Sequence, residues 1–172
     1  NGKNEVIKLT GTLASNLTVS IPNSLEKTYL VEDACNHAGF TLTFKTASGT
    51  GVLLCEGNNY TLYSDGTNVV KLHEQRNWRA VSAAETVQAG AKLLVNTNGG
   101  AVTATLPASP ATGDEVHFVD QGYDFQTNAL TVGRNSSNIA NAASDLVVNT
   151  QGAAFSLVFS GDATTGWTYT EK

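Results

Sequence analysis

The sequence predicts an all-β protein built from two tandem antiparallel β-sandwich or barrel-like domains. Three features carry that prediction: apolar residues alternate with hydroxyl residues, turn signals recur about every ten residues, and the same pattern occurs twice. Alternation is clearest in Leu17-Thr18-Val19-Ser20-Ile21 and in Val102-Thr103-Ala104-Thr105-Leu106. A period of two sends successive side chains to opposite faces of a strand, so Leu17, Val19 and Ile21 share one face and Thr18 and Ser20 the other. β-branched Thr and Val suit such a pleated surface.

Taken in order, the first copy runs from the Leu17 strand to a stop at Pro22-Asn23-Ser24. It continues through Tyr29-Leu30-Val31-Glu32-Asp33, Phe40-Thr41-Leu42-Thr43-Phe44 and Tyr60-Thr61-Leu62-Tyr63-Ser64-Asp65-Gly66. The second copy repeats the order with Val102–Leu106, Pro107-Ala108-Ser109, Val116-His117-Phe118-Val119-Asp120, Ala129-Leu130-Thr131-Val132 and Phe155-Ser156-Leu157-Val158-Phe159-Ser160-Gly161-Asp162. Turn residues such as Ser48-Gly49, Asn58-Asn59, Asp65-Gly66, Asn98-Gly99-Gly100 and Gly113-Asp114 separate the runs. The domains expected from this repeat are 1–74 and 84–172, with 75–83 as a linker. Val81–Val87 reads as extended, since Gly90 follows too soon for a helix.

The expected core of the first copy is Leu17, Val19, Ile21, Leu30, Leu42, Phe44, Tyr60 and Leu62. In the second it is Val102, Leu106, Phe118, Leu130, Val132, Leu146, Val148, Phe155, Leu157 and Phe159. Trp167 opens a last strand and is expected to close the core, and Trp78, between Arg76 and Arg79, to pack at the joint between the copies. Domains this small bury roughly 60% of their unfolded surface and are marginal alone. Oligomerisation is the usual remedy, and Val70, Leu72 and Trp78 are candidates for an outward contact.

Composition narrows the function classes. Charged residues are 15% of the 172, while Thr, Ser and Asn number 50. A net charge of −5 lacks the cationic footprint of a nucleic-acid binder. No run of 18 apolar residues occurs, so membrane insertion is not expected. The chain starts at Asn1 with no basic-then-apolar leader, and reads as a processed product or excised fragment.

Chemistry-bearing patterns are sparse. No GxSxG, HExxH, P-loop or GxGxxG is present, and no catalytic residue or cofactor is expected. His37, His73 and His117 are scattered, and Cys35 and Cys55 have no metal-ligand spacing and read better as buried thiols than as a disulfide. Asp120, Asp124 and Asp162 match no calcium loop and read as turn formers, so no metal site is expected. Sequons at Asn16, Asn59 and Asn135 are near chance number in so Asn/Ser/Thr-rich a chain.

The functional candidate is the loop Gln121–Asn128. It carries Tyr123 and Phe125 beside Asp124 and Asn128, the combination that carbohydrate binding uses: rings stack on sugar faces, and amides and carboxylates meet hydroxyls. The competing reading folds Phe125 back as a lid on the barrel end.

Val102–Pro110 followed by Gly113-Asp114-Glu115-Val116, Leu130–Asn135, and the closing Leu157–Phe159 with Gly166-Trp167 resemble segments of tail-fibre and fibre-like proteins of tailed bacteriophages. Ile7–Leu13 through Ser64–Val70 look like the same kind of module, so the resemblance covers nearly the whole chain. The first copy departs from it, having Leu25-Glu26-Lys27-Thr28 in place of the Gly-Asp-Glu-Val step, as well as Cys35 and Cys55. The resemblance implies a homotrimeric virion protein, assembled in the host cytoplasm and exposed on the particle. It would bind itself, other virion proteins and a host-surface carbohydrate, with no catalysis. The alternatives are a head or tail decoration protein that binds only virion proteins, and a polysaccharide-degrading spike fragment. The last would need a carboxylate pair roughly 5–9 Å apart in a groove.

Overall fold

The computed structural model describes residues 6–171, and all regular structure in them is strand. The chain divides into two compact units, residues 1–77 and 78–172. The segment 75–83, expected as a linker, therefore contains the unit boundary and strand on either side of it.

Unit 1 contains β1 (Val6–Thr12), β2 (Leu17–Ile21), β3 (Glu26–Asn36), β4 (Leu42–Thr46), β5 (Gly51–Leu54), β6 (Asn59–Asp65) and β7 (Val69–Gln75). One sheet has the order β1-β3-β6-β7 and the other β2-β4-β5. β1 pairs in parallel with β3, and β2 in parallel with β4. The chain thus crosses from one sheet to the other and back, and β1–β2 and β3–β4 stack as two rungs. β5, β6 and β7 then add as antiparallel strands.

Unit 2 contains β8 (Trp78–Val81), β9 (Glu85–Thr86), β10 (Lys92–Val95), β11 (Val102–Thr105), β12 (Glu115–Asp120), β13 (Leu130–Gly133), β14 (Leu146–Val148), β15 (Ala154–Phe159) and β16 (Trp167–Glu171). Its sheets have the orders β16-β15-β12-β10-β8 and β14-β13-β11-β9. Here three rungs stack in parallel, β8–β9, β10–β11 and β12–β13. β14, β15 and β16 close the stack as antiparallel strands. From β10 onward the connectivity is that of unit 1 from β1 onward. Tyr29 faces Leu62 as Val116 faces Leu157, and Pro22 and Pro107 each follow the second strand of their copy.

The expectation of purely antiparallel sheets is therefore corrected: each unit is a solenoid-like stack of parallel rungs under an antiparallel cap. Pro22-Asn23-Ser24, with Ser24 at φ 60°, turns the chain a corner between sheets where a hairpin would reverse it within one. Alternation along a strand is the same in both arrangements, and pairing direction leaves no local mark.

The core of unit 1 joins Ile21, Tyr29, Val31, Leu42, Phe44, Leu54, Tyr60 and Leu62. Tyr29 and Phe44 meet with ring centroids 5.5 Å apart. Two expected core residues lie outside it. Leu17 is 47% exposed on the first rung, and Leu30 points outward because the inward row of β3 is Tyr29, Val31, Asp33 and Cys35. In unit 2, Leu93, Val102, Leu106, Phe118, Leu130, Val132, Leu157 and Trp167 are fully or almost fully buried. Leu146 and Val148 are only half-buried on edge strand β14, and Phe155 and Phe159 are half-buried towards the two ends of β15. Phe155 stacks on Phe118 at 5.0 Å, and Phe159 leans on Trp167 at 5.5 Å. Cys35 and Cys55 are both buried, and no disulfide joins them. Among the described residues, no helix is long and apolar enough to cross a membrane.

Candidate functional site

The loop 121–128 connects β12 to β13 at a corner of unit 2, and its anchor is Asp120, the last residue of β12. Its buried carboxylate accepts from the backbone N–H groups of Asp124 (3.2 Å, Oδ1), Phe125 (3.3 Å, Oδ2) and Gly152 (2.9 Å, Oδ2). A carboxylate is tolerated out of water only when donors replace the lost hydration. Here the same bonds tie the 121–128 loop to the β14–β15 connection.

Of the four residues expected to form a ligand site, Tyr123 alone is well exposed, at 66%. Its φ is 53°, a left-handed backbone uncommon for a tyrosine. Its carbonyl accepts from Gln151 Nε2 at 3.2 Å. Its ring rests against Gly152, where a Cβ would come within 3.0 Å of the ring, so a side chain larger than hydrogen would push the ring away. The ring is thus supported along Gly152 and open to solvent elsewhere.

Phe125 is corrected. It is 0% exposed and belongs to the core, so it cannot stack on a ligand. Asp124 and Asn128 are half-buried and bonded to each other, Asn128 Nδ2 to Asp124 Oδ2 at 2.9 Å. The Asp124 carbonyl also accepts from the N–H groups of Thr127 and Asn128, both at 2.9 Å, which closes the loop into a tight turn. Asp124 and Asn128 flank the ring in sequence, but part of their hydrogen-bonding capacity is already used. The sequence reading missed Gln151, Gly152 and Asn98, whose side chain lies where Gly122 would carry a Cβ. Gln151 and Gly152 come from the β14–β15 connection and Asn98 from the β10–β11 connection, and only the rung stacking brings them to one corner.

Elsewhere in unit 2, Trp78 is 46% exposed on edge strand β8. Lys92 Nζ lies 5.7 Å from its ring centroid, and His117 meets it edge-on at 6.3 Å. His117 Nε2 in turn lies 3.4 Å from Glu115 Oε2.

Unit 1 holds a different cluster at the equivalent corner. Asp33 is buried at the position that Asp120 takes in unit 2; its Oδ2 lies 2.8 Å from His37 Nε2, and its Oδ1 accepts from the Cys35 N–H at 3.1 Å. The His37 N–H donates to Glu56 Oε2 at 2.8 Å. Cys, His and Asp side by side invite a nucleophilic reading, but the electrostatics run against it. Burial pushes the Cys35 thiol up, and the charge and hydrogen bonding of Asp33 push it further. A reactive cysteine needs its thiolate stabilised. The cluster works instead as a buried polar plug, in which His37 Nδ1 has no hydrogen-bond partner.

A third polar group lies beside it in unit 1, linked through Asn58, whose carbonyl accepts from the Asp33 N–H at 3.0 Å. Glu74 accepts from Tyr60 Oη (2.9 Å) and Asn58 Nδ2 (3.0 Å) on Oε1, and from Lys71 Nζ (2.7 Å) on Oε2. Tyr60 Oη also accepts from the Cys55 N–H at 2.6 Å. Burial opposes the charge on Glu74, but the bonds from Lys71, Tyr60 and Asn58 outweigh it and hold the carboxyl below its ordinary value. Burial, with the Glu74 charge adding to it, raises Tyr60 well above the usual phenol range.

Among the described residues, no group of three His, Cys, Asp or Glu side chains could hold a metal. Asp162, one of the three aspartates weighed for calcium, accepts from the N–H groups of Thr164 (2.9 Å) and Thr165 (2.7 Å), as a turn former does.

No protein-family model and no curated protein matches the chain. Among solved structures it is similar to one described as "Structure of a chaperone-substrate complex", at 13% identity and a TM-score of 0.40, over 96% of this chain and 32% of that one. The chain thus spans about a third of that protein's length, and a likeness at this level says nothing of function.

Proposed function

We propose that the chain is a structural and adhesive component of a tailed-bacteriophage fibre or spike, working as a homotrimer on the virion and contacting a host-surface glycan through the corner loops of unit 2. The observation that carries the glycan contact is the Tyr123 ring, 66% exposed and backed by Gly152 and Gln151. A supported ring loses little freedom when a sugar face stacks on it, and stacked aromatics are common hot spots. Asp124, Asn128 and Gln151 stand beside it as hydrogen-bonding groups. The resemblance of Val102–Pro110 and Gly113–Val116 to fibre-like segments supports the virion setting, and a module used twice suits a mechanical part. In this reading the two units are tandem modules of a fibre, their role is non-catalytic, and neither nucleic acid nor a membrane is a partner.

A second reading, a decoration protein that binds only virion proteins, is favoured by one feature. Val6, Leu30, Val70 and Leu72 are all exposed in the β1-β3-β6-β7 sheet, Val6 opposite Leu30. The test is a glycan array and host-cell adsorption with the full chain, in parallel with capture of purified virion components. Glycan binding lost in Tyr123→Ala supports the adhesive reading. A silent array with capture that depends on Leu72 supports the second. Sedimentation showing a stable monomer at micromolar concentration would remove the trimeric fibre.

A further inference from the structure

Asn98-Gly99-Gly100 lies between β10 and β11, in one of the three connections that meet at the Tyr123 corner. The Gly100 N–H donates to the Thr97 carbonyl at 2.9 Å, which closes a four-residue turn with Asn98 and Gly99 at its centre. Both central residues are exposed. Gly100 has φ 138°, a backbone that glycine adopts without strain, and a Cβ on Gly99 would meet no atom within 4 Å. The Asn98 side chain lies over Gly122, its Cγ 2.9 Å from where a Cβ there would stand. The Asn98 N–H donates to Asn96 Oδ1 at 3.0 Å, but among the described residues the side-chain amide makes no hydrogen bond. Other asparagine amides are tied. Asn23 Nδ2 donates to Ser48 Oγ at 2.9 Å, and Asn135 Nδ2 and Asn138 Nδ2 donate to the Leu106 and Thr164 carbonyls, both at 2.8 Å.

An untied asparagine followed by glycine can modify itself. The Gly99 backbone nitrogen attacks Asn98 Cγ, the new C–N bond closes a five-membered succinimide, and the side-chain nitrogen leaves as ammonia. Water then opens the ring at either carbonyl, giving aspartate or isoaspartate, with no oxidant or reductant consumed. Glycine favours the step because no Cβ hinders the approach and its dihedrals are free to bring nitrogen to Cγ. We infer that Asn98-Gly99 is a site of spontaneous deamidation, through which the chain adds a negative charge to its own Tyr123 corner as it ages. The corner offers that charge no cation: across residues 96–101, 121–129 and 149–153 the one charged side chain is Asp124. A carboxylate at position 98 would stand against Gly122, two residues from Asp124 and two from Asp120, whose own carboxylate holds the loop. Like charges at that spacing loosen the 121–128 loop. Isoaspartate also adds a methylene to the main chain and so disturbs the 97–100 turn. This inference does not rest on the adhesive reading, since it uses only the chemistry and surroundings of Asn98.

The test stores the full chain at mildly alkaline pH and follows each asparagine by peptide mapping, with enzymatic methylation of isoaspartate as a second readout. Mapping by peptide also separates Asn98 from Asn1-Gly2, the other Asn-Gly pair in the sequence. Asn98 should convert about tenfold or more faster than Asn23, Asn135 and Asn138, and should give both products. Gly99→Ala should slow conversion at Asn98 by about tenfold or more, and Asn98→Gln should remove the isoaspartate label from that peptide. Three outcomes overturn the proposal: Asn98 intact while one of the other three converts, a rate that Gly99→Ala leaves unchanged, or aspartate without isoaspartate, which would mean direct hydrolysis. Asn98→Asp isolates the effect of the charge. Amide exchange at Asp124 and Phe125 should quicken in that variant, and unchanged exchange at both would overturn the link between position 98 and the corner.

Discussion

Asp33 and Asp120 occupy the same position in the two units, each buried on the inward row of its strand, and they are hydrogen-bonded by different partners. Asp33 is met by the His37 ring at 2.8 Å and the Cys35 N–H at 3.1 Å. Asp120 is met by three loop N–H groups at 2.9–3.3 Å. A buried aspartate lies near the end of the strand in both units, at the last residue of β12 and three residues before the end of β3. What differs is the loop that follows, and with it the chemistry at that corner.

Asp120→Ala should leave three N–H donors without their acceptor. The expected cost is about 3 kcal/mol, since each buried donor left unpaired costs ~1–3 kcal/mol and not all will be additive. Urea unfolding gives the energy. Amide exchange at Phe125 and Gly152 should rise before global unfolding, and a loss below about 1 kcal/mol would mean that the loop is held by other contacts.

The Asp33–His37 pair should be coupled. His37→Ala leaves a carboxylate buried with one donor fewer, and a cost of about 3 kcal/mol is expected. The double variant Asp33→Asn with His37→Ala should cost less than the sum of the singles by ~1–3 kcal/mol. Strict additivity in the double-mutant cycle would show that the two side chains do not depend on each other.

Tyr123 and Phe125, two residues apart, should behave in opposite ways. Tyr123→Ala is expected to leave the melting temperature within the range of ordinary surface changes, about ±0.5 kcal/mol, while weakening host-surface attachment by ~2 kcal/mol. Phe125→Ala should cost roughly 3–5 kcal/mol of stability, as a cavity in a packed core does. Melting curves and cell-adsorption assays on both variants separate the two roles. Full attachment by Tyr123→Ala would sink the glycan site.

The Tyr60–Glu74 pair sets a pH window for unit 1. Glu74 is held below its ordinary 4.5, so its contribution is complete above that pH and is lost as the pH falls through the folded value. Tyr60 is raised above its ordinary 10.0, so its contribution is complete below pH 10 and declines above it. Unfolding free energy measured across this range should show both declines. Glu74→Gln should shallow the acid arm and Tyr60→Phe the alkaline arm. Asp65 and Asp162 are also held low, by backbone N–H groups, so the informative quantity is the difference between variant and wild type.

Alternation by itself determined that the chain is all β and which residues of a strand share a face. Val102, Ala104 and Leu106 are all buried, with Thr103 exposed and Thr105 half-buried between them. The paired runs Tyr29–Asp33 and Val116–Asp120 also showed the repeated order, because equivalent side chains serve equivalent positions. Tertiary structure alone decided the direction of pairing. A strand's period is two whether its neighbour is parallel or antiparallel, and that neighbour lies a whole rung away in sequence. It also decided the phase of Tyr29-Leu30-Val31, three apolar residues whose inward set was settled by which neighbours each could reach. Phe125 was ambiguous for a similar reason: an aromatic between polar residues reads as a contact loop until the Asp120 carboxylate is seen drawing its backbone inward. Burial of Val102 against exposure of its counterpart Leu17 has no local cause at all, because it depends on whether another rung lies alongside.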